Sequence, residues 1–249
     1  MFNAKYSILS TKALHPDLVK EAAEHGIAID QQTFIDITPV LTEPVKMKIL
    51  HLAYSGGVMV FTSPNAVNVV AGMRPTLWGN RLSPAGERMP DRRIYCLEGA
   101  TRQAVEEQMA SVLVAGTAAN SAELARKIIE DKVPAVVFFC GNIRRNELPD
   151  MLRAHDIEVE EQVVYQTTET PAVLDKAYNG ILFLSPSSVR SFFSANTPPA
   201  HTVCFAIGET TAGALRDVTD NKVIVSHRPS VSSLLGTAIY YFDNINCYE

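Results

Sequence analysis

Four hydroxyl side chains stand where an apolar run gives way to a helical pattern, and they are Ser63, Thr101, Ser185 and Thr211. Ligands of open parallel sheets bind at this place, outside the carboxyl ends of the strands. A helix that begins there offers unpaired backbone N–H groups and the positive end of its dipole. Several such loops facing one cleft would hold a polyanion without many lysines. The alternative for each residue is a helix N-cap that meets no ligand.

Two further side chains could take part in covalent or proton-transfer chemistry. Tyr165 lies in Val163–Thr167, where the chain is expected to cross between two lobes, and its phenol, with an ordinary pKa of about 10, can donate a proton. A packing tyrosine at a hinge is the alternative. Cys140 ends an apolar run and suggests a nucleophile, but no partner histidine is recognisable, so a small core residue fits it better.

The common nucleotide and metal signatures are absent from the sequence. There is no phosphate-binding GxxxxGK[ST] loop, no GxGxxG after a strand, no HExxH and no GxSxG. The six histidines are scattered, and no pair has the spacing of metal ligands on one helix. We therefore expect no metal site.

Composition narrows the class of protein. The 249 residues carry a formal net charge of −5 with no basic stripe, which argues against a nucleic-acid partner. We expect no membrane association, because no apolar run reaches the roughly 18 residues of a spanning helix and the first residues do not resemble a signal peptide. The four cysteines are widely spaced, as in proteins of a reducing cytoplasm.

Short apolar runs rich in β-branched residues alternate with helical patterns along the whole chain. Strands alternating with helices favour an α/β fold with parallel sheets. The predicted strands are Tyr6–Leu9, Val58–Phe61, Ile94–Leu97, Val112–Val114, Ala135–Phe139, Ile181–Leu184, Val203–Ile207 and Val223–Val225.

Two extended segments without a close helix, Gln31–Val40 and Val159–Thr170, divide the chain into three pieces. The first piece has one strand and one helix and is too small to bury a core alone. We therefore expect a discontinuous α/β domain of residues 1–36 with 168–249, and an inserted α/β domain of residues 37–167.

An internal repeat supports two similar lobes. Phe61–Val67 (FTSPNAV) resembles Phe183–Val189 (FLSPSSV), and Glu98–Thr101 resembles Gly208–Thr211 in the same order. A duplication predicts two parallel-sheet lobes, flavodoxin-like or doubly wound, with a cleft between them.

The sequence resembles the uroporphyrinogen-III synthase family over about residues 58 to 240. The resemblance rests on FTSPNAV, on CGN at Cys140–Asn142 with the following arginines, on VYQT at Val164–Thr167, and on AIGETTA at Ala206–Ala212.

This resemblance implies two α/β lobes joined by a two-stranded connection, no metal and no organic cofactor. It implies a small-molecule substrate, hydroxymethylbilane, which carries several carboxylates and is closed with inversion of its last ring. It further implies that Tyr165 assists departure of the substrate hydroxyl and that the remaining site residues contact the substrate. Those residues are Ser63, Thr101, Gly141, Asn142, Ser185, Thr210 and Thr211. We expect a cytoplasmic monomer.

Two departures from the family pattern stand out. Glu98 occupies a position where the family tends to have glycine, and Arg74–Arg93, with the sole tryptophan Trp78, matches no family motif and favours a surface insertion over a lid. Two other functions stay open at this point: a non-catalytic two-lobe protein that binds a small anion, and an α/β transferase or hydrolase that uses Cys140.

Overall fold

The computed structural model describes residues 4–79 and 91–244. Its strands are β1 (Tyr6–Ser10), β2 (Ile27–Gln31), β3 (Ile35–Pro39), β4 (Gly57–Phe61), β5 (Arg92–Leu97), β6 (Leu113–Ala118), β7 (Ala135–Gly141), β8 (Glu158–Glu169), β9 (Gly180–Phe183), β10 (Val203–Ala206) and β11 (Val223–Val225). Its helices are α1 (Pro16–Glu24), α2 (Glu43–Ser55), α3 (Pro64–Met73), α4 (Pro75–Gly79), α5 (Ala100–Gln108), α6 (Ser121–Glu130), α7 (Glu147–Arg153), α8 (Pro186–Phe193), α9 (Glu209–Arg216) and α10 (Val231–Asn244).

The predicted α/β class with parallel sheets is confirmed. Each of the eight apolar runs forms or overlaps a strand, and every strand pair whose direction is resolved is parallel. The first extended segment contains β3, and the second contains all of β8 except its first residue, Glu158. Strand β2 was not predicted, because Asp30 and Gln31 give its second half a polar pattern.

The chain forms two compact units that divide between Asp36 and Ile37 and again between Thr167 and Thr168. We call residues 37–167 the continuous unit and the remainder the discontinuous unit. In the discontinuous unit the strand order is β11-β10-β9-β1-β2. This is the flavodoxin-like order, because the second strand lies on one side of the first and the later strands follow on the other.

In the continuous unit the strand order is β3-β8-β7-β4-β5-β6. The chain runs from β4 through β5 to β6 on one side and returns on the other side of β4 with β7 and β8. The direction of winding therefore changes between β4 and β7, and such a switch point is where open α/β sheets bind ligands.

The repeated motifs occupy equivalent places in the two sheets. Strands β9, β10 and β11 correspond in order to β4, β5 and β6, while β1 and β2 take the places of β7 and β8. Ser185 therefore follows the strand equivalent to the one that Ser63 follows, and the same holds for Thr211 and Thr101. The two sheets share a spatial order, but the chain enters them at different strands.

Helices cover both faces of each sheet. In the continuous unit, α2, α3, α4 and α5 contribute to one apolar cluster, and α6 and α7 contribute to the other. In the discontinuous unit, α1 and α10 pack on one face, and α8 and α9 on the opposite face. Trp78 in α4 is fully buried in the first cluster, so this part of Arg74–Arg93 belongs to the core and is not a surface insertion. Residues 80–90 of that segment lie outside the described residues.

Two further observations concern the expected environment of the protein. Within residues 4–79 and 91–244, no helix has the length and apolar character needed to cross a membrane. Cys96, Cys140 and Cys204 are buried free thiols, and Cys247 lies outside the described residues.

Candidate active site

The switch point of the continuous unit brings together four of the predicted site residues. Ser63 follows β4, Gly141 ends β7, Asn142 comes directly after it, and Tyr165 lies in β8. The Tyr165 hydroxyl donates a hydrogen bond to Ser63 Oγ at 3.2 Å, although the two residues are 102 positions apart in sequence. The backbone N–H of Asn142 donates to the carbonyl of Tyr165 at 3.1 Å.

A β-bulge directs Tyr165 toward Ser63. Along β7 and β8, Cys140 pairs with Val163 but Gly141 pairs with Tyr165, so Val164 is an extra residue in β8. In a regular strand neighbouring side chains point to opposite faces. Here Val164 and Tyr165 are both buried in the same apolar cluster. Bulges of this kind re-aim a side chain next to an active site.

Gly141 leaves the space that the Tyr165 ring fills. A β-carbon at position 141 would lie 2.5 Å from Cε2 and 2.5 Å from Cζ of Tyr165, and 2.8 Å from its hydroxyl oxygen. Any side chain at this position would displace the ring or the strand. Gly141 is itself buried, so its observed role is close packing under Tyr165.

Ser63 both caps α3 and contacts the phenol. Its Oγ accepts a hydrogen bond from the backbone N–H of Asn65 at 3.2 Å, which makes it the N-cap. The Asn65 side chain also acts on the Tyr165 phenol, because it lowers the pKa of that group. The N-cap alternative is therefore correct for Ser63, but the cap coexists with a contact to Tyr165.

Burial raises the pKa of the Tyr165 phenol above its ordinary value, and the hydrogen bond with Ser63 and the influence of the Asn65 side chain partly oppose this rise. Tyr165 as a whole residue is 7% exposed. Because the change is upward, the hydroxyl keeps its proton at neutral pH. Tyr165 can therefore donate a proton or a hydrogen bond at neutral pH, as an ordinary tyrosine can. It also keeps its proton to a higher pH than an ordinary tyrosine does.

Asn142 is exposed, but both ends of its side-chain amide bond to Thr167. Its Oδ1 accepts from the Thr167 backbone N–H at 2.7 Å, and its Nδ2 donates to the Thr167 carbonyl at 3.3 Å. This pair of bonds ties the loop after β7 to the end of β8. An amide contact from Asn142 to a substrate would compete with these bonds.

The helix that begins near Thr101 has an open N-terminus. Its N-cap is Gly99, with φ 71°, and no side chain caps the first turn. Thr101 is the second helical residue and is buried, so it is not an N-cap. Glu98, the departure from the family pattern, directly precedes this glycine, so the left-handed residue that the loop requires is still a glycine.

In the discontinuous unit, the predicted residues lie at two helix starts. The start of α8 is capped by a side chain, and the start of α9 is not. Ser185 forms a capping box with Ser188 at the start of α8, so its hydroxyl is engaged in the helix. The N-cap of α9 is Gly208, with no side-chain cap, and Thr210 and Thr211 are its second and third helical residues. Thr210 is exposed, whereas Thr211 is buried. The starts of α5 and α9, with Gly99 and Gly208 as N-caps, occupy equivalent places in the two units, and neither has a side-chain cap.

Sequence reasoning missed one pair of polar residues at a switch point. In the discontinuous unit the winding changes between β1 and β9, and β1 ends in Ser10 followed by Thr11. The Thr11 hydroxyl donates to the Leu182 carbonyl in β9 at 2.8 Å. The sequence does carry a signal for this pair. After Leu9 the residues change from apolar to Ser-Thr-Lys, and such a change marks the carboxyl end of a strand.

An arginine cluster lies beside the loop after β7. Arg144 and Arg153 both pair with Glu161 of β8, the latter at 2.7 Å. Burial alone would raise the pKa of the Glu161 carboxyl, but hydrogen bonds from Arg153 and Arg144 outweigh it and lower the pKa. Arg153 also pairs with Asp150 at 4.0 Å, so the two guanidinium groups face two carboxylates and the cluster carries no net charge.

Cys140 does not have the environment of a nucleophile. It is buried, and its thiol faces the Gln162 carbonyl at 3.8 Å. Burial raises the pKa of this thiol to about 11, so the reactive thiolate is scarce at neutral pH.

Comparison with known proteins gives one consistent result. The family model for uroporphyrinogen-III synthase HemD matches residues 16–236. A uroporphyrinogen-III synthetase structure from Helicobacter pylori is 16% identical, with a TM-score of 0.64 over 94% of this chain and 99% of that one. A mutant uroporphyrinogen III synthase from Thermus thermophilus is 14% identical, with a TM-score of 0.63 over 96% and 99% of the two chains. At these identities the structural likeness shows the fold.

Proposed function

Because the chain belongs to the uroporphyrinogen-III synthase family, we propose that the phenol of Tyr165 protonates the departing hydroxyl of its substrate. The activity is that of a cyclising lyase of tetrapyrrole biosynthesis, which closes hydroxymethylbilane to uroporphyrinogen III with inversion of ring D and loss of water. The observation that supports a role for Tyr165 is its hydrogen bond to Ser63 at the switch point of the continuous unit.

The proton balance of the reaction fits a neutral phenol. Protonation lets the terminal hydroxyl leave as water, and the pyrrole nitrogen lone pair forms the azafulvene. Attack by the substituted carbon of ring D gives the spiro intermediate, which fragments and recloses. Closure releases a proton from the attacked ring carbon, so the phenolate can be reprotonated and no net proton is consumed.

The Tyr165–Ser63 pair suits this step because both groups are hydroxyls, and each can donate or accept. In the free enzyme Tyr165 donates to Ser63. With substrate present, Ser63 and Asn65 would donate to the phenol oxygen while Tyr165 donates to the leaving group. The same two donors would then stabilise the phenolate, and this matches their lowering effect on the phenol pKa.

We propose that carboxylates of the substrate are held by the uncapped helix starts at Thr101 and at Thr210 and Thr211, with Ser185 as a further contact. Backbone N–H groups at such starts bind anions, and a hydrogen bond to a charged group contributes about 1.5–3 kcal/mol. Gly141 and Asn142 act chiefly by shaping and fixing the strand that carries Tyr165.

Three further proposals concern organisation and location. Residues 1–36 with 168–249 form one domain and residues 37–167 an inserted one, in keeping with the two compact units. The enzyme is a monomer, which a sedimentation measurement tests. It works in the cytoplasm, in keeping with three buried free thiols.

The family match does not favour a non-catalytic binding protein, and the Cys140 environment does not favour a thiol hydrolase.

The acid role of Tyr165 is tested by changing the leaving group. Tyr165→Phe is expected to slow turnover of hydroxymethylbilane by about a hundredfold, the lower range for general acid catalysis. With an acetoxymethyl bilane, whose leaving group needs no proton, the same variant should lose far less. Tyr95→Phe is the matched control, since Tyr95 is buried in the same sheet and donates to Asp131 at 2.7 Å. An equal loss on both substrates would show that Tyr165 is not the acid.

A further inference from the structure

A pocket of about 490 Å³ lies on the discontinuous unit, and none of the residues proposed to contact the substrate lines it. It runs along β11, the edge strand of its sheet, and against the second half of α10. The side chains that bear on ligand binding are Lys222, Ile224, Val225, His227, Tyr240 and Tyr241. The volume of the pocket falls within the range of about 300–1,000 Å³ found for small-molecule sites.

One wall of the pocket is a fixed aromatic group. The Tyr241 ring packs edge-on against Phe205 at 5.8 Å and against Phe242 at 5.2 Å, and both phenylalanines are buried. A ring held on two sides loses little freedom when a ligand contacts it, which lowers the entropic cost of binding. Tyr240, the preceding residue of α10, is 67% exposed and offers a second ring at the pocket.

The pocket presents a positioned positive charge and no negative one. The Lys222 ammonium stands 4.6 Å from the centroid of the Tyr241 ring, and a cation in this position is attracted by the ring face. None of the residues that line the pocket is an aspartate or glutamate. In the described part of the chain Lys222 has no ion pair, whereas Lys176 of the same unit pairs with Asp30 at 2.8 Å.

This combination selects a class of ligand. Ile224, Val225 and the tyrosine rings favour an apolar, planar body, and Lys222 favours an acidic group at one end of it. The protein as a whole carries a net charge of −5. The pocket lining, with a lysine, a histidine and no acidic residue, therefore differs in charge from the rest of the molecule.

We propose that this pocket binds a small aromatic anion, a carboxylate or sulfonate, with its acidic group on the Lys222 ammonium and its ring against Tyr240 and Tyr241. The pocket shares no residue with the site at Tyr165, and it does not depend on the function proposed above. A ligand held there would join the edge strand β11 to α10.

Binding of anilinonaphthalene sulfonate, which fluoresces in apolar surroundings, tests the site on the full chain. The wild-type protein should show one saturable site. Lys222→Met should weaken binding about tenfold or more, because a charge-assisted hydrogen bond is lost. Lys5→Met is the matched control, since the Lys5 ammonium also stands over a tyrosine ring, Tyr6 at 5.1 Å, but outside the pocket. Lys5→Met should bind the probe with the same affinity as the wild type.

A second variant tests the location without removing the charge. Thr237 lines the pocket, and Thr237→Phe should fill it and abolish the saturable binding. Circular dichroism shows whether this variant is folded. If it is unfolded, the surface substitution Lys222→Met still tests the proposal. Turnover of hydroxymethylbilane should be unchanged in both variants. Wild-type affinity in Lys222→Met, equal loss in Lys5→Met, or displacement of the probe by hydroxymethylbilane would each overturn the proposal.

Discussion

Gly141 lies directly under the ring of Tyr165, so that a β-carbon at position 141 would stand 2.5 Å from two carbons of that ring. Real side chains do not approach this closely, and both residues are held by strand pairing in β7 and β8. The glycine therefore determines where the phenol lies.

Gly141→Ala should displace the phenol from Ser63 and slow turnover, while overpacking lowers the free energy of unfolding by about 1–3 kcal/mol. Gly213→Ala is the matched control, because Gly213 lies in α9 with nothing near its missing β-carbon, and alanine there should stabilise the helix by about 0.5–1 kcal/mol. In a Tyr165→Phe background, Gly141→Ala should slow turnover by a smaller factor than in the wild type. Equal effects in both backgrounds would contradict the link between the two residues.

Ser63 and Ser185 are equivalent N-caps, but only Ser63 contacts Tyr165. Ser63→Ala and Ser185→Ala should each cost about 1 kcal/mol of stability through loss of the cap. Only Ser63→Ala should raise the pKa of the Tyr165 phenol further, because it removes a hydrogen bond that lowers this pKa. Ultraviolet titration of tyrosinate, with Tyr165→Phe to identify the signal, measures the change. A shift of equal size in Ser185→Ala would show that the contact is not its cause.

Substitution of Thr211 tests whether its hydroxyl contributes to substrate binding at the start of α9. A sequence-based expectation that Thr211→Ala loses a helix cap is wrong, because Gly208 is the N-cap. Thr211→Ala removes a buried methyl group and a hydroxyl, and the lost methyl burial should cost about 1 kcal/mol. Thr211→Val keeps the shape and removes only the hydroxyl, so it should raise KM with little change in kcat. Unchanged kinetics for Thr211→Val would remove this residue from the binding site.

Glu161 should make the protein sensitive to acid. Its pKa is lowered in the folded state, so its contribution to stability is present above the ordinary carboxyl pKa of about 4.3 and is lost as pH falls through the lower folded value. Glu161→Gln should cost about 2 kcal/mol at pH 7 and flatten the acid side of the stability curve. Denaturant unfolding at several pH values measures this.

Glu160→Gln is the control for that series. Glu160 pairs with Lys48 at 2.6 Å, but its side chain is 39% exposed, so its loss should cost about 1 kcal/mol or less. A Glu161→Gln curve parallel to the wild-type curve below pH 4.3 would contradict the assignment.

The fold could be predicted from the sequence because its signals are local. β-branched runs such as Val58–Phe61 are buried strands wherever they lie in a parallel sheet, and Ser-Pro pairs mark the helices that come after them. Strand β2 could not be predicted because Ile27–Gln31 is a partly exposed edge strand, and a polar second half carries no clear period.

The candidate site could be predicted only in part, since its contacts depend on long-range geometry. The sequence indicates Ser63 and Tyr165 separately, but their contact requires the bulge at Val164 and the absent side chain at Gly141. No local pattern encodes the bulge, and the glycine at 141 does not by itself show which ring packs against it. Asn142 illustrates the reverse case, because an exposed amide after a strand looks available for a ligand until its bonds to Thr167 are seen.

Product analysis with hydroxymethylbilane tests the central claim most directly. The substrate closes without inversion when no enzyme is present, so oxidised products separated by chromatography distinguish enzyme from solution chemistry. The purified chain should yield the type III isomer, in an amount that falls in Tyr165→Phe while Tyr95→Phe matches the wild type. Type I isomer alone, in the same yield as a protein-free control, would contradict the assignment.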